Sequence, residues 1–237
     1  MQRIPSILVV VCAVITNVSI GCAQQAAPKT SAKAVVFATP EECFAAMQKA
    51  ALTESKADQI VCMSEALTNY LTGMLALQLQ RSMFTDEEFK AETAAVEKVL
   101  IKHGYKDKDI MGYLQLVDSP VPGGAVPGFM QIGDVVKDKP AFFQDAEAAL
   151  KAIEVKSAGK QGKKLIDDPK PNAADMPKLK EVKITGDTAI GTFADKEKNE
   201  HPVHFVKEQG SWKLAAGEKE PDWKKPIQGR FLFQDKK

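Results

Sequence analysis

An excess of charge of either sign is missing from this chain. Its 237 residues carry 32 Lys+Arg against 31 Asp+Glu, a formal charge of +1, so no broad field draws it to nucleic acid or to anionic lipid. Cysteine is scarce, with four residues, which excludes a small disulfide-dense scaffold. Long apolar runs are absent beyond the first two dozen residues, which excludes a multi-span membrane protein. Nor is there a Gly-X-Y period, and 44% hydrophobic residues is too many for a disordered chain. What is present is an average globular composition, long enough for one large domain or two small ones with a sizeable core.

Chemistry-bearing motifs are sparse as well. No His-Glu-x-x-His, Gly-x-Ser-x-Gly or Walker-type loop occurs. There are three histidines, His103, His201 and His204. His201-Pro-Val-His204 has a three-residue offset, which on a strand sends the rings to opposite faces and makes a poor metal pair. His103 follows a predicted helix end, where an imidazole complements the dipole. The sequence therefore nominates no catalytic residue, no metal site and no cofactor.

The strongest positive signal is N-terminal. Arg3 is followed by the apolar run Ile7–Ile15. At 1.5 Å per residue this run is too short for a hydrocarbon core of about 30 Å, which needs about twenty residues. A basic start, a short apolar stretch and small residues make residues 1–21 a signal peptide. Ser19-Ile20-Gly21-Cys22 resembles the lipobox of bacterial lipoproteins, in which the cysteine is acylated and becomes the new N-terminus. That resemblance implies lipidation at Cys22 and, with Ala23 following, an outer-membrane-anchored protein facing the periplasm. The alternative is ordinary cleavage after Ala23, giving a periplasmic or secreted chain. Arg3 leaves with the leader and no acid does, so 31 basic and 31 acidic side chains remain. Nucleic acid is not an expected partner.

Residues 22–38 read as a flexible tether, and the body over 39–237 as one domain. Thr39-Pro40-Glu41-Glu42 is a capping box with Pro at the first helical position. It opens a helix to about Leu52, and Ser55 with Asp58 opens a short second one. Ser64 precedes a third, with Leu67, Tyr70, Leu71, Met74, Leu75 and Leu79 at helical spacing. So few charges lie between Glu65 and Arg81 that this helix is expected to be the most buried element. A second capping box at Thr85–Glu88 precedes a helix closed by Lys102-His103-Gly104. Asp107 caps a further helix, and Ser119–Gly128 is a loop by composition. Lys139-Pro140 starts the last helix of a helical region spanning 39–155, and residues 156–177 form a second long loop.

Beyond residue 178 the period becomes 2. Leu179–Thr185 and Thr188–Ala194 flank a Gly186-Asp187 turn, and Pro202–Lys207 and Ser211–Ala215 flank Gln209-Gly210. Arg230–Phe233 is a candidate last strand. The fold class is therefore α+β, with N-terminal helices packed on a C-terminal antiparallel sheet.

Glu181–Phe193 and His204–Leu214 resemble the C-terminal hairpins of nuclear-transport-factor-2-like bacterial lipoproteins. Thr39–Glu42 matches the opening of that family's first helix, and Gly210, Trp212 and Lys213 match its Gly-x-Trp-Lys ending. The likeness covers about a third of the mature chain and implies a curved, cystatin-like sheet. The family holds isomerases and cyclases as well as members without a known reaction, so fold analogy supplies no function. An enzyme of that kind needs a carboxylate base inside the sheet's concavity, whereas the acids of this sheet fall mostly at turns. The expected function is a non-enzymatic cell-envelope lipoprotein that binds an envelope protein or a small ligand; an isomerase- or cyclase-type enzyme is the alternative.

Cys43 and Cys62 stand at equal distances from the turn near Leu52, so an antiparallel helical hairpin brings them level. In an oxidising envelope they form a candidate disulfide, closing a loop of about 20 residues and stabilising by roughly 3 kcal/mol. Two buried free thiols are the equal alternative, because helix axes about 8–10 Å apart often leave Cα atoms beyond bridging range.

Overall fold

The computed structural model describes residues 35–83, 87–105, 126–160, 173, 176–195 and 197–217. Cys22, the leader, most of the tether, the helix expected after Asp107 and the strand expected at 230–233 lie outside the described residues. The chain has the helices and the antiparallel sheet of an α+β protein, divided between two compact units. One comprises Met1–Ser64 and Ile166–Glu220, the other Glu65–Leu165 and Pro221–Lys237. The helical region is thus shared: its first two helices lie with the sheet and the others form the second unit.

In the sheet unit, helix α1 (Pro40–Leu52) begins as its capping box requires. The Thr39 hydroxyl accepts from the Glu42 amide at 3.2 Å, and the Glu42 carboxylate accepts from the Ala38 amide at 2.8 Å. Helix α2 (Lys56–Val61) is capped by Ser55, whose hydroxyl accepts from the Asp58 amide. The sheet is a meander, β1 (Lys180–Thr185), β2 (Thr188–Ala194), β3 (Glu200–Glu208) and β4 (Ser211–Ala215), in the order β1-β2-β3-β4. The β3–β4 turn holds Gln209 at φ +50° and Gly210 at φ +82°. Two positive φ values in a two-residue loop are what a type I′ hairpin demands.

Register fixes the sheet's two faces. Ala189, Phe205 and Leu214 stand abreast, as do Gly191 with Val203 and Phe193 with His201. These buried apolar residues face α1, where the Phe44 ring lies 5.9 Å from that of Phe193. Ile190, His204 and Ala215 form a row on the opposite face, with Thr188, Val206 and Lys213 beside it.

The outer edge of β4 is paired rather than open. Phe37 accepts from the Trp212 amide at 3.0 Å and donates to the Ser211 hydroxyl at 3.0 Å. Further along, Cys62 accepts from the Leu214 amide and Ser64 donates to the Leu214 carbonyl, both at 2.8 Å. Met63 bridges Leu214 in parallel sense. So the segment expected as free tether to residue 38 is already seated at Phe37, which is buried. Backbone groups that would leave an edge sticky are satisfied by the chain's own N-terminal part.

The helical unit contains α3 (Glu65–Ser82), a 3₁₀ turn (Glu87–Phe89), α4 (Lys90–Lys102), α5 (Val126–Asp134) and α6 (Lys139–Lys160). Residues 66–73 of α3 are buried in unbroken succession, so this helix is enclosed on every face, as its lack of charge predicts. Its main partner is α5, whose first three residues fall within the loop expected over Ser119–Gly128 and for whose remainder the sequence predicts no element. The two helices meet backbone to backbone: a Cβ added at Gly73 would lie 1.9 Å from the Phe129 carbonyl oxygen. One added at Gly133 would lie 1.9 Å from the Asn69 carbonyl oxygen. Helix α6 runs to Lys160, so the loop expected from residue 156 starts later.

Within this crossing sits a misfit. Asn69 is fully buried, and neither its amide oxygen nor its amide nitrogen has a hydrogen-bond partner among the described residues. An unmet buried polar group costs about 1–3 kcal/mol. Asn69→Leu keeps the branching at Cγ and removes both unmet groups, against some overpacking. A net gain of about 1 kcal/mol is expected, read as a raised urea midpoint with unchanged slope; a loss would show that the amide is satisfied in solution.

Candidate functional site

Besides the Lys156–Glu92 ion pair at 2.7 Å between α6 and α4, three clusters carry titratable chemistry among the described residues. In the helical unit, α4 ends with Lys102 and His103, while α6 presents Asp145 one turn after Phe142. His103 Nε2 lies 2.7 Å from Asp145 Oδ2, and Lys102 Nζ lies 2.6 Å from the same oxygen. The imidazole is 6% exposed and its edge rests on the Phe142 ring at 5.2 Å. Partial burial works against the charged form of Asp145, but the hydrogen bonds from Lys102 and His103 outweigh it and hold the carboxyl below its ordinary value. His103 is therefore more than a helix-end cation. It joins α4 to α6 through a partner 42 positions away that local sequence offers no means of finding.

The second cluster is the β2–β3 turn. Asp195 Oδ2 lies 2.8 Å from His201 Nε2, and its other oxygen accepts from the Asn199 amide at 2.8 Å. His201 stacks on Phe193 at 5.3 Å between centroids. Hydrogen bonds from His201 and Asn199 pull the Asp195 carboxyl down from 3.8 to about 2. Since folding lowers this pKa, the unfolded chain binds more protons between those two values. The stabilisation is complete above about pH 4 and disappears as pH falls through about 2. Asp195→Asn is expected to flatten that part of the acid-unfolding curve, measured by circular dichroism from pH 5 to pH 1.5; an unaltered curve would contradict the assignment.

The third cluster is the cysteine pair. Cys43, on α1, and Cys62, at the end of α2, are both buried and carry free thiols. Cys43 Sγ donates to the Cys62 carbonyl at 3.2 Å, and Cys62 Sγ donates to the Asp58 carbonyl at 3.4 Å. Interaction between the two thiols, together with burial, pushes the Cys43 thiol far up, and the same interaction draws the Cys62 thiol down against the effect of its own burial. Lys213 Nζ, seated on the Val61 carbonyl at 2.6 Å, adds a positive charge beside Cys62. The helical hairpin thus does bring the two cysteines level.

The geometry does not gather the histidines. His201 and His204 project to opposite faces of β3, as their offset predicts, and His103 belongs to the other unit. Among the described residues, no three His, Cys, Asp or Glu side chains are grouped so as to hold a metal ion. Trp212 is 4% exposed and belongs to the core, with Lys207 Nζ 5.8 Å from its ring. Among the described residues the fully buried polar side chains are Gln59, Ser64, Thr68, Asn69, Thr72, Gln80 and Ser211, none of them an acid.

A scan against protein-family models found no match, and searches of curated proteins and of solved structures found none either.

Proposed function

We propose that this protein is exported, anchored to the envelope through an acylated Cys22, and works as a non-catalytic module that binds another envelope protein. In this reading the sheet is a curved, nuclear-transport-factor-2-like one that has lost the family's interior cavity. The observation that carries the reading is the filled inner face. Phe193, Val203, Phe205 and Leu214 are all buried there against α1, where an isomerase or cyclase would keep a pocket and a carboxylate. A partner then meets the opposite face, where Ile190 is 39% exposed beside half-buried Pro202, His204 and Val206. The anchor agrees with the charge balance: a chain with no net attraction to anionic lipid needs acyl chains, at about 0.8 kcal/mol per buried methylene, to stay on a membrane.

The test is made in cells. The wild-type chain is expected in the detergent phase with a mass consistent with an acylated N-terminal Cys22, and Cys22→Ser is expected in the aqueous phase. A photo-crosslinking residue at Ile190 is expected to give one protein adduct of defined mass, and the same residue at exposed Glu181 none. An unmodified N-terminus at Gln24 would end the anchor, and identical adducts from both positions would end the binding face.

A further inference from the structure

We propose that Cys43 and Cys62 are joined as a disulfide in the exported protein, locking α1 to the segment that completes the edge of β4. The Cys43 thiol already reaches residue 62, donating to its carbonyl at 3.2 Å although nineteen positions separate the two in sequence. They are also where a bond would matter. The Cys62 carbonyl accepts from Leu214, Met63 bridges the same residue, and Ser64 donates to it. Residues 62–64 thus act as a short extra strand on β4, continuous with the hairpin that carries Cys43. A covalent link between the two turns a marginal three-residue pairing into a fixed part of the sheet.

The surroundings assign a role to each sulfur. Lys213 places its ammonium on the Val61 carbonyl next to Cys62, favouring the thiolate there; its charge acts on Cys43 as well, but burial and the contact with Cys62 outweigh it and keep Cys43 a thiol. The Cys62 thiolate attacks the disulfide of an envelope thiol–disulfide oxidant, releasing one of its sulfurs as a thiolate and forming a mixed disulfide. Cys43, on losing its proton to solvent, attacks Cys62 Sγ and expels the second sulfur. The oxidant leaves as a dithiol with the two electrons, and the Cys43–Cys62 bond remains. Both sulfurs are buried once α1 is seated, so the exchange occurs on the folding chain.

This inference rests on the export reading, and the experiment separates the two. The full-length protein is purified from its host after trapping free thiols with an alkylating agent, then digested with trypsin without reductant. Peptides 34–49 and 57–81, which carry Cys43 and Cys62, are expected as one linked species lighter by two hydrogen atoms than their sum. Reduction before heating is expected to lower the melting midpoint by roughly 5–10 °C, with no such effect in a Cys43→Ser/Cys62→Ser double variant. Two separately alkylated peptides from processed, membrane-bound protein would overturn the disulfide and leave the anchor standing. If the chain is instead found unprocessed in the cytosol, export fails, and oxidised glutathione is added to the purified protein. Closure to the 34–49/57–81 link would then uphold the pair, and glutathione adducts on either cysteine would overturn it.

Discussion

Gly73→Ala and Gly133→Ala are each expected to destabilise the helical unit by roughly 3 kcal/mol or more. The reason is reciprocal geometry. Gly73 on α3 receives the carbonyl of Phe129 on α5, and Gly133 on α5 receives the carbonyl of Asn69 on α3. A methyl group at either site would stand 1.9 Å from a backbone oxygen. Neither neighbour is a side chain that can rotate away, so the helices must separate along their whole contact. That separation uncovers Met130 and Ile132 on α5 and the Leu67–Leu71 stretch of α3, all buried now. It also strains the Tyr105 hydroxyl bond to the Ile132 carbonyl, 2.9 Å in the closed crossing. Gly159 provides the control. It lies near the end of α6 with no described residue within 4 Å of an added Cβ, so Gly159→Ala is expected to be neutral or to stabilise by up to about 1 kcal/mol. Urea unfolding of the three variants decides. Similar midpoints for all three would mean that the crossing accommodates a methyl group.

The same crossing marks the boundary of what a reader of the sequence alone obtains. Features set by neighbours in sequence are legible. Thr39 with Glu42 and Ser55 with Asp58 announce α1 and α2, and Gln209-Gly210 announces a hairpin, because a cap or a turn is completed within a few residues. The burial of α3 is legible too, through the near absence of charge from Glu65 to Arg81. Helix α5 is not. Val126-Pro-Gly has loop chemistry, and the stretch is helical because α3 supplies a surface on which only a glycine-bearing helix fits. Propensity yields to packing there. The clusters divide in the same way. The closeness of Cys43 to residue 62 is readable from their symmetry about one turn. The Asp145 partner of His103 and the unmet amide of Asn69 depend on which helices meet, and no local pattern encodes that. The likeness to nuclear-transport-factor-2-like lipoproteins rests on hairpin residues whose strands and turns form as expected. Strand pairing alone, however, does not distinguish one antiparallel meander from another.

Trp212→Ala is expected to cost roughly 3–5 kcal/mol, the largest loss available from one side chain in the sheet unit. Trp212 is 4% exposed, on a strand of five residues in which Ser211, Leu214 and Ala215 are buried as well. Its ring supplies apolar volume that neighbours on so short a strand cannot collapse to replace, so truncation leaves a cavity rather than a smaller core. Its backbone also matters: the Trp212 amide donates to Phe37, and the adjacent Ser211 hydroxyl accepts from Phe37 in return. Loosening β4 here therefore releases the N-terminal segment from the edge that it covers. Two measurements separate this from a ligand-platform role. If the ring is core, the urea midpoint falls steeply, and protease cleavage between residues 35 and 40 rises in parallel, because Phe37 loses its seat. Trp212→Phe, which keeps an aromatic plane in the same place, then recovers more than half of the loss. If the ring served a ligand instead, alanine would cost less than about 1 kcal/mol, as surface substitutions do, and Phe37 would stay protected. The sign of the protease result is the sharper of the two. It reports on a place where the N-terminal segment is joined to the sheet, through Phe37 and the first residues of β4.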